Sequence, residues 1–430
     1  MKKRLIIVVL IVVSILQFTS CSDPEPILAH LPEGSISTEN VQYNGWRNMI
    51  VADRYVFSPD GLGIQGTGKI NVLTNRVTNV CLQPNCNHAA PSDPEINPEY
   101  CHIPSNCELL FAVNQEIFYT YHFFDVDFDK VERGEENNTE VIYVFASYNF
   151  VTGETQDILE ITTTNFEQMY KFIHSDGYIY YNRNVAKTDR PETKEDYSLS
   201  LCRMKIGEYK EEIVLAFEDV CNLPAGVLPD PLAVDNNNIY FTCVEIGKLL
   251  EINLESKESR FYLGDGNITF ATFDSPGAFY VNGYIYFTVV VPDLVGTEAE
   301  MYIVELHRVN CTTGKTEKLT EDFIRWFFVS DNHIYYGMAH NFQPTNEQLE
   351  EVGDDYSLHT IKQTDLDGKN KKSIKMQLSS PYITVLDVVG AGESLYFRAG
   401  YQDGTTADEF KIIFNLKTGI ATEIGRNINE

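Results

Sequence analysis

The sequence is poor in basic residues. Only 33 Lys and Arg stand against 62 Asp and Glu, which gives a formal charge of -29 at pH 7. Because binding to a phosphate backbone needs a basic face, a nucleic-acid partner is not expected. Disorder is excluded as well, since 43% of the residues are hydrophobic and 12% are aromatic.

Signatures of common enzyme classes are also missing. The sequence contains no Gly-x-Ser-x-Gly elbow, no His-Glu-x-x-His metal motif and no P-loop. The nine His are dispersed, and His307 and His333 are interpreted as structural residues of strands. No catalytic or cofactor-binding residue is predicted, although catalysts spread over several loops would escape a motif search.

No apolar run reaches the roughly 20 residues that span a bilayer. The longest extends from Leu5 to Phe18 and follows the basic segment 2–4, an order typical of an export signal. It ends in Phe18-Thr19-Ser20-Cys21, which resembles the bacterial lipobox, although Leu is usual where Phe18 stands. We expect residues 1–21 to be a lipoprotein signal peptide with lipid on Cys21; a plain secretory signal is the alternative.

Export determines the expected location. Removing the signal leaves 30 basic against 62 acidic residues, a charge of -32. Anionic headgroups repel such a body, so only the lipid would hold it at the membrane. Residues 22–45 contain Pro24, Pro26 and Pro32 and are interpreted as a flexible tether. We expect a monomer, lipid-anchored to the cell membrane and facing the extracellular side.

Residues 46–430 contain an internal repeat. A short strand with an aromatic pair recurs seven times at intervals of 46–62 residues. Examples are Tyr178-Ile179-Tyr180-Tyr181 and Tyr284-Ile285-Tyr286-Phe287, and each copy is followed by another strand and a turn such as Thr313-Gly314-Lys315. Glycine after a polar residue suits a two-residue hairpin, which needs a positive φ.

Four short strands per repeat without a long helix predict an all-β fold. The prediction is a β-propeller of about seven four-stranded blades, with six or eight as alternatives. A β-sandwich array would need about 100 residues per domain, well above the observed interval. The aromatic pairs are predicted to pack between blades, because alternation puts one ring on each face of a buried sheet.

One cysteine-rich segment has chemical character. It runs from Cys81 to His88 and is followed by Cys101 and Cys107. Cys81, Cys86, His88 and Cys101 could close a structural zinc site. Disulfides are the favoured alternative, because eight Cys, an even number, remain in an exported chain once Cys21 is lipidated. Free thiols are the third possibility.

The segment 81–88 reads Cys-x-x-Pro-x-Cys-x-His. In this it resembles a family of uncharacterised, TolB-like β-propeller lipoproteins of anaerobic Gram-positive bacteria, which carry this motif after the first blade. Cys101 matches the family's third Cys, whereas Asn85 stands where the family has Asp and the insert 90–100 departs from the pattern. The resemblance implies a propeller fold, a cell-surface location and a habitat that weakens the case for disulfides. The family has no established activity.

Acidic residues alternate at Asp125, Asp127 and Asp129, and with Glu136 they match four positions of a calcium loop. Lys130 occupies the position that needs Gly, so weak and unspecific calcium binding is the most that the pattern supports. Structural zinc and weakly bound calcium are thus the cofactors that the sequence suggests.

Binding is the favoured function. Loops 121–140, 184–198 and 340–357 are expected to present a recognition face to an extracellular peptide, glycan or protein partner. The alternative is an extracytoplasmic hydrolase or lyase that acts on a polymer at the channel mouth. A cluster of buried carboxylates and His at one mouth would favour that alternative.

Overall fold

A computed structural model shows how the chain folds. It describes residues 35–44, 49–59, 67–82, 103, 107–125, 140–163, 171–186, 197–224, 226–263, 278–290, 304–338, 360–376, 378, 383–402 and 407–425. The described secondary structure is almost entirely β-strand. The exceptions are the short helix α1 (Phe217–Val220) and a 3-10 turn (Val244–Ile246). No helix in these ranges is long and apolar enough to cross a membrane.

Beyond a short first strand, β1 (Gln42–Asn44), the strands fall into seven consecutive groups of four. Blade one contains β2 (Ile50–Ala52), β3 (Tyr55–Ser58), β4 (Gly68–Asn71) and β5 (Val77–Asn79). Blade two contains β6 (Glu108–Val113), β7 (Glu116–Asp125), β8 (Glu140–Asn149) and β9 (Thr155–Thr163). Blade three contains β10 (Phe172–Ser175), β11 (Tyr178–Ala186), β12 (Tyr197–Lys205) and β13 (Glu211–Ala216). Blade four contains β14 (Asp230–Asp235), β15 (Asn238–Cys243), β16 (Lys248–Asn253) and β17 (Ser259–Tyr262).

The last three blades follow the same antiparallel order. Blade five contains β18 (Ala278–Val281), β19 (Tyr284–Val290), β20 (Val304–Asn310) and β21 (Thr316–Lys318). Blade six contains β22 (Ile324–Val329), β23 (His333–Met338), β24 (Thr360–Asp365) and β25 (Lys372–Lys375). Blade seven contains β26 (Ile383–Ala391), β27 (Ser394–Gln402), β28 (Ala407–Asn415) and β29 (Ala421–Ile424). Val304 pairs with Ile324, and this joins blades five and six into one continuous sheet with β1.

The first strands of the blades form a closed ring. β2 contacts β6, β6 contacts β10, β10 contacts β14, and β14 contacts β18; β22 contacts β26, which returns to β2. Between blades five and six the ring of Phe279 lies 5.0 Å from that of Phe327. The chain is a seven-bladed β-propeller. The predicted fold and the favoured blade count are confirmed.

The aromatic pairs pack between blades. Phe118 and Tyr119, adjacent on β7, belong to different core clusters, one towards blade three and one towards blade one. Tyr286 and Phe287, adjacent on β19, likewise belong to two different core clusters. Period-2 alternation therefore supplies apolar surface to both faces of a blade, and the core is a series of layers around the axis.

One end of the propeller carries short turns, and we call it the tight-turn face. The first and second strands of a blade join there through two or three residues, such as Asn282-Gly283, whose φ angles are 49° and 79°. The third and fourth strands join through longer turns, such as 311–315, not the two-residue hairpins expected. Asn310 caps that turn, because its side-chain oxygen accepts hydrogen bonds from the backbone of Thr312 and Thr313.

The opposite end carries the long connections, and we call it the long-connection face. In an antiparallel meander the link from second to third strand and the link to the next blade lie at the same end. The segments 126–139, 187–196 and 339–359 are links of the first kind, in blades two, three and six. Each overlaps one of the three loops predicted from the sequence to form a recognition face, and the flanking strands place all three at this end of the propeller.

Segment 35–44 lies in the central channel. Ile36 bridges Gly392 in the β26–β27 turn, and the hydroxyl of Ser37 and the backbone N–H of Asn40 both donate to Asp331 in the β22–β23 turn. β1 then pairs antiparallel with β18 along the axis. Ten residues of the expected tether 22–45 are therefore held by the propeller, while 22–34 lie outside the described residues.

Candidate functional site

Charged residues gather at one side of the channel mouth on the long-connection face. Glu108 begins β6, Lys171 immediately precedes β10, and Asp230 begins β14. These are comparable positions in three successive blades, and the strand order brings them together. The inner strands of the other four blades begin with apolar residues: Ile50, Ala278, Ile324 and Ile383. We refer to Glu108, Lys171 and Asp230 as the mouth cluster.

Lys171 pairs with Asp230 and also acts on Glu108 through its charge. Its Nζ is 2.5 Å from Oδ2 of Asp230, and the two side chains retain 25% and 23% of their exposure. Burial raises the pKa of Asp230, although Lys171 opposes the shift, and the charge of Glu245 adds to it. Burial therefore disfavours the charged form of Asp230, and its lysine partner compensates this effect only in part.

Glu108 is the second carboxylate of the cluster. Burial raises its pKa, whereas a hydrogen bond from Thr120 and the charge of Lys171 lower it and only partly cancel the effect. Thr120 is its direct cross-strand partner on β7. Lys171 pairs directly with Asp230. The negative charge of Glu108 therefore has the weaker compensation of the two carboxylates.

Aromatic and amide groups complete the site. Tyr143 on β8 pairs across the strands with His122, and their ring centroids are 5.6 Å apart. Burial and the charge of Glu108 raise the pKa of the Tyr143 hydroxyl, which therefore stays protonated. Asn182 on β11 donates to the carbonyl of Pro229, and its buried Oδ1 has no hydrogen-bond partner among the described residues. The mouth thus offers carboxylate and amide acceptors beside aromatic faces.

Close inter-blade packing fixes these side chains. The rings of Phe145 and Phe172 stack at 4.3 Å between blades two and three. Phe145 is paired with Thr120, and Phe172 follows Lys171 directly. Packing of neighbouring blades therefore holds the mouth cluster in place. The charged residues themselves occur at this position only in blades two to four.

The mouth cluster was not predicted from the sequence. Glu108, Lys171 and Asp230 are separated by about 60 residues each, and none belongs to a local motif. The signal that could have found them is a charged residue at the start of the inner strand, which emerges once the seven repeats are aligned. A buried acidic pair with a neighbouring His is the arrangement that the sequence analysis associates with an enzyme.

The cysteine-rich segment lies elsewhere, after β5. Cys81 is buried and forms no disulfide with another described cysteine, and the backbone N–H of the adjacent Leu82 donates to the hydroxyl of Tyr148. Cys86, His88 and Cys101, and also Cys21, lie outside the described residues. The zinc, disulfide and free-thiol hypotheses therefore stay predictions, which zinc analysis and intact mass under non-reducing conditions would separate.

Other cysteines and acidic residues give no further site. Cys202, Cys243 and Cys311 are buried, Cys221 is half-buried, and all four are free thiols. Burial raises the pKa of the Cys202 thiol to about 11, so it is not a reactive thiolate near neutral pH. No group of three or more His, Cys, Asp or Glu suited to a metal occurs within the described ranges. The expected calcium loop lies mostly outside them.

One glycine pattern needs its structural context. Gly61 to Gly66 has the spacing Gly-x-Gly-x-x-Gly found in dinucleotide-binding folds. That fingerprint requires a turn from a parallel strand into a helix. Here residues 61–66 lie outside the described residues, between β3 and β4, which are two antiparallel strands of one blade. The match therefore does not indicate a dinucleotide site.

Comparisons with known proteins give similarities at low sequence identity only. No protein-family model matches the sequence, and no curated protein matches it. Solved structures similar to this chain include TolB from Acinetobacter baumannii, at 11% identity, with 94% of this chain and 86% of that chain covered and a TM-score of 0.35. Virginiamycin B lyase from Staphylococcus aureus is similar at 12% identity over 86% of this chain and 95% of that one, with a TM-score of 0.38.

A prolyl endopeptidase gives a TM-score of 0.48 at 12% identity. The match covers 90% of this chain but 49% of the endopeptidase, so this chain spans about half of its length.

Proposed function

We propose that the protein is a surface-anchored lipoprotein whose propeller binds an extracellular ligand at the long-connection face. The observation that carries the proposal is the mouth cluster, in which Lys171 compensates Asp230 but leaves Glu108 with little compensation. Carboxylates at the channel mouth can recognise a positive group, and the charge of -32 on the chain without its signal attracts cations over a longer range. The ligand that fits best is a peptide with a basic side chain.

A basic ligand stabilises the charged form of a buried carboxylate whose pKa is raised. The positive group supplies the compensation that solvent gives to an exposed carboxylate, so ligand binding lowers the pKa of Glu108. Binding should therefore strengthen as the pH rises through the pKa of the free site. The aromatic rings of His122 and Tyr143 provide apolar surface and cation–π contacts beside it.

The test uses residues 22–430 and calorimetry with matched basic, neutral and acidic peptides. We expect saturable binding of the basic peptide and about a tenfold loss with Glu108→Gln, because a hydrogen bond replaces a charge pair. Glu160→Gln is the control, since Glu160 is an exposed carboxylate on the outer strand of the same blade. Equal affinity of the three peptides, or no effect of Glu108→Gln, would contradict the proposal.

A second candidate is a hydrolase or lyase that acts on an extracellular polymer. It rests on the raised pKa values of Glu108 and Asp230, because a carboxyl group whose pKa is raised is better suited to serve as a general acid. Mass spectrometry of oligosaccharides and peptides incubated with the protein distinguishes the two candidates. Turnover that Glu108→Gln abolishes would favour the enzyme, whereas saturable binding without turnover would count against it.

Anchoring is tested separately. We propose that Cys21 is the first residue of the mature protein and carries a diacylglyceryl group, which the Phe18-Thr19-Ser20-Cys21 sequence supports. Mass spectrometry of the N-terminal peptide from a membrane fraction should show this modification. Cleavage at another residue would refute the anchor and leave the ligand-binding proposal intact.

A further inference from the structure

Segment 35–44 enters the central channel from the tight-turn face. Ile36 bridges Gly392 in the β26–β27 turn, and the backbone N–H of Asp331 in the β22–β23 turn donates to the carbonyl oxygen of Ser37 at 2.9 Å. Both turns join the first strand of a blade to the second, so residues 36 and 37 lie level with the tips of the blades at this end. These contacts fix the start of the segment at the tight-turn face.

The rest of the segment runs towards the other end of the propeller. β1 is antiparallel to β18, and its last residue, Asn44, pairs with Ala278, the first residue of β18. Because the first strand of a blade begins at the long-connection face, Asn44 lies deeper in the channel than Ile36. The chain that precedes Ser35 therefore joins the propeller at the tight-turn face.

Chain length then limits how a propeller anchored through Cys21 can be oriented. Fourteen peptide units separate Cys21 from Ser35, and a chain of that length spans at most about 50 Å. A flexible chain of the same length has a root-mean-square span of only about 20 Å. The anchor should therefore stay close to the face at which Ser35 lies.

The long-connection face is out of easy reach of this anchor. To pass from the channel to that face, the chain would have to cross a blade and follow its outer edge. Four paired strands span about 15 Å, and a six-residue strand such as β14 is about 20 Å long. The route of about 35 Å, without allowance for side chains, would stretch the expected tether well beyond its root-mean-square span, at a cost in chain entropy.

The charge of the tight-turn face also suits a lipid surface. The fourteen turns at this end carry eight basic and nine acidic residues and are nearly balanced, whereas the chain without its signal has a charge of -32. In six blades the turn from third to fourth strand presents an exposed cation: Arg76, Lys210, Lys257, Lys315, Lys369 and Lys417. The acidic excess lies outside these turns, so anionic headgroups repel them little.

We propose that the tight-turn face is the surface that faces the membrane, and that the mouth cluster points away from it at the opposite end, about 20 Å farther out. This orientation rests on the proposed lipid at Cys21 but is independent of which ligand the mouth cluster binds. The mouth cluster then meets ligands from the medium or from a facing surface, and not the headgroups of the membrane that holds the protein.

Energy transfer to a membrane dye measures the orientation. Residues 22–430 with six His before Ser22 are held on vesicles of phosphatidylcholine, about 30% phosphatidylglycerol and a nickel-chelating lipid. A donor dye is coupled to an azidophenylalanine that replaces either Ser256 or Glu245, two exposed residues of blade four. Ser256 lies in the β16–β17 turn at the tight-turn face, and Glu245 lies between β15 and β16 at the long-connection face.

Transfer to a rhodamine-labelled lipid should be about twofold greater from position 256 than from position 245, because about 20 Å separates the two ends of the blade. Insertion of about 30 Gly and Ser residues after Pro32 should reduce the difference, since the longer chain can pass around a blade. A difference that survives the insertion would support the orientation through the charge of the turns. Equal transfer from the two positions, or greater transfer from position 245, would overturn the proposal.

The anchor and the orientation fail on different outcomes. The six His hold the chain at its N-terminal end whether or not Cys21 is acylated, so the energy-transfer result stands without the natural lipid. An unmodified Cys21 in the membrane fraction would refute the anchor alone, whereas a modified Cys21 with equal transfer from positions 256 and 245 would refute the orientation alone.

Discussion

The side-chain amide of Gln42 forms two hydrogen bonds with the backbone of Val234. Its Nε2 donates to the carbonyl oxygen at 2.8 Å, and its Oε1 accepts from the backbone N–H at 2.9 Å. Val234 belongs to β14, an inner strand whose channel edge faces the axis. Gln42 thus satisfies both polar groups of one residue on that edge and links segment 35–44 to blade four.

Gln42→Ala should therefore destabilise the propeller. It removes both hydrogen bonds to Val234, whose N–H then loses its acceptor while its C=O keeps only the 3.4 Å hydrogen bond from the Ser175 hydroxyl, and we expect a cost of about 2 kcal/mol. Urea denaturation of residues 22–430 measures the change. Gln42→Glu should lose nearly as much, because a carboxylate cannot donate to the carbonyl of Val234. Gln156→Ala, at an exposed position of β9, should have little effect; equal losses at both positions would contradict the assigned role.

Gly337 on β23 should tolerate no side chain. A Cβ at this position would lie 2.3 Å from Nε1 of Trp326, a residue only 2% exposed. Gly337→Ala must displace the indole, and a loss of about 2–4 kcal/mol is expected in urea denaturation. Trp326→Leu in the Gly337→Ala background should recover part of the loss. Gly207→Ala is the contrast: its positive φ of 84° costs about 1 kcal/mol, but nothing crowds the new Cβ.

The fold was predictable because its signal repeats. The aromatic strand occurs seven times, so recognition of the repeating unit does not depend on any single copy. One copy, Tyr55-Val56-Phe57, is degenerate, and the propeller prediction is the same without it. The turn caps were missed although they repeat as well. Asn310 and Asn415 occupy the same place at the end of the third strand, and each caps the following turn through its side-chain oxygen. An alignment of the repeats would have revealed them.

The channel features could not be predicted in the same way. Segment 35–44 has no periodic pattern, and Pro-rich neighbouring sequence favours an unstructured interpretation. It is ordered because Asp331, Val234 and β18 provide partners that lie about 190 to 300 residues away in the sequence. The mouth cluster depends likewise on ring closure, since only the radial order of the blades places Glu108 near Lys171.

Asp322 should contribute acid-sensitive stability between blades five and six. Burial raises its pKa, but hydrogen bonds from Lys371 and Tyr336 outweigh that effect, so the pKa lies below its ordinary value. The Tyr336 hydroxyl donates to Oδ2 at 2.9 Å. A carboxylate with a lowered pKa stabilises the native state above its ordinary pKa, and the contribution disappears as the pH falls through the lowered value.

Asp322→Asn should consequently be less stable than the parent at pH 7, and the two thermal midpoints should converge towards pH 2. Differential scanning calorimetry across this range measures the difference. Asp219→Asn, on the exposed face of α1, is the control and should follow the parent throughout. A constant difference between Asp322→Asn and the parent at all pH values would show that packing, and not charge, is responsible.

Lys171→Met tests the electrostatics of the mouth cluster. Without the lysine, Asp230 and Glu108 lose the charge that lowers their pKa values, which then rise further above the ordinary range. A carboxyl group whose pKa is raised by folding destabilises the native state as the pH rises through that pKa. The cost of Lys171→Met should therefore be small at pH 5 and reach between about 1 and 3 kcal/mol at pH 8, intermediate between exposed and buried ion pairs.

Two comparisons make the result specific. Asp230→Asn in the Lys171→Met background removes one of the uncompensated carboxylates and should recover stability at pH 8 but not at pH 5. Lys205→Met breaks an exposed ion pair with Glu208 in the same blade and should have little effect at either pH. If Lys171→Met cost the same at both pH values, Lys171 would act through its aliphatic chain, and the charge assignment on which ligand recognition by Glu108 rests would fail.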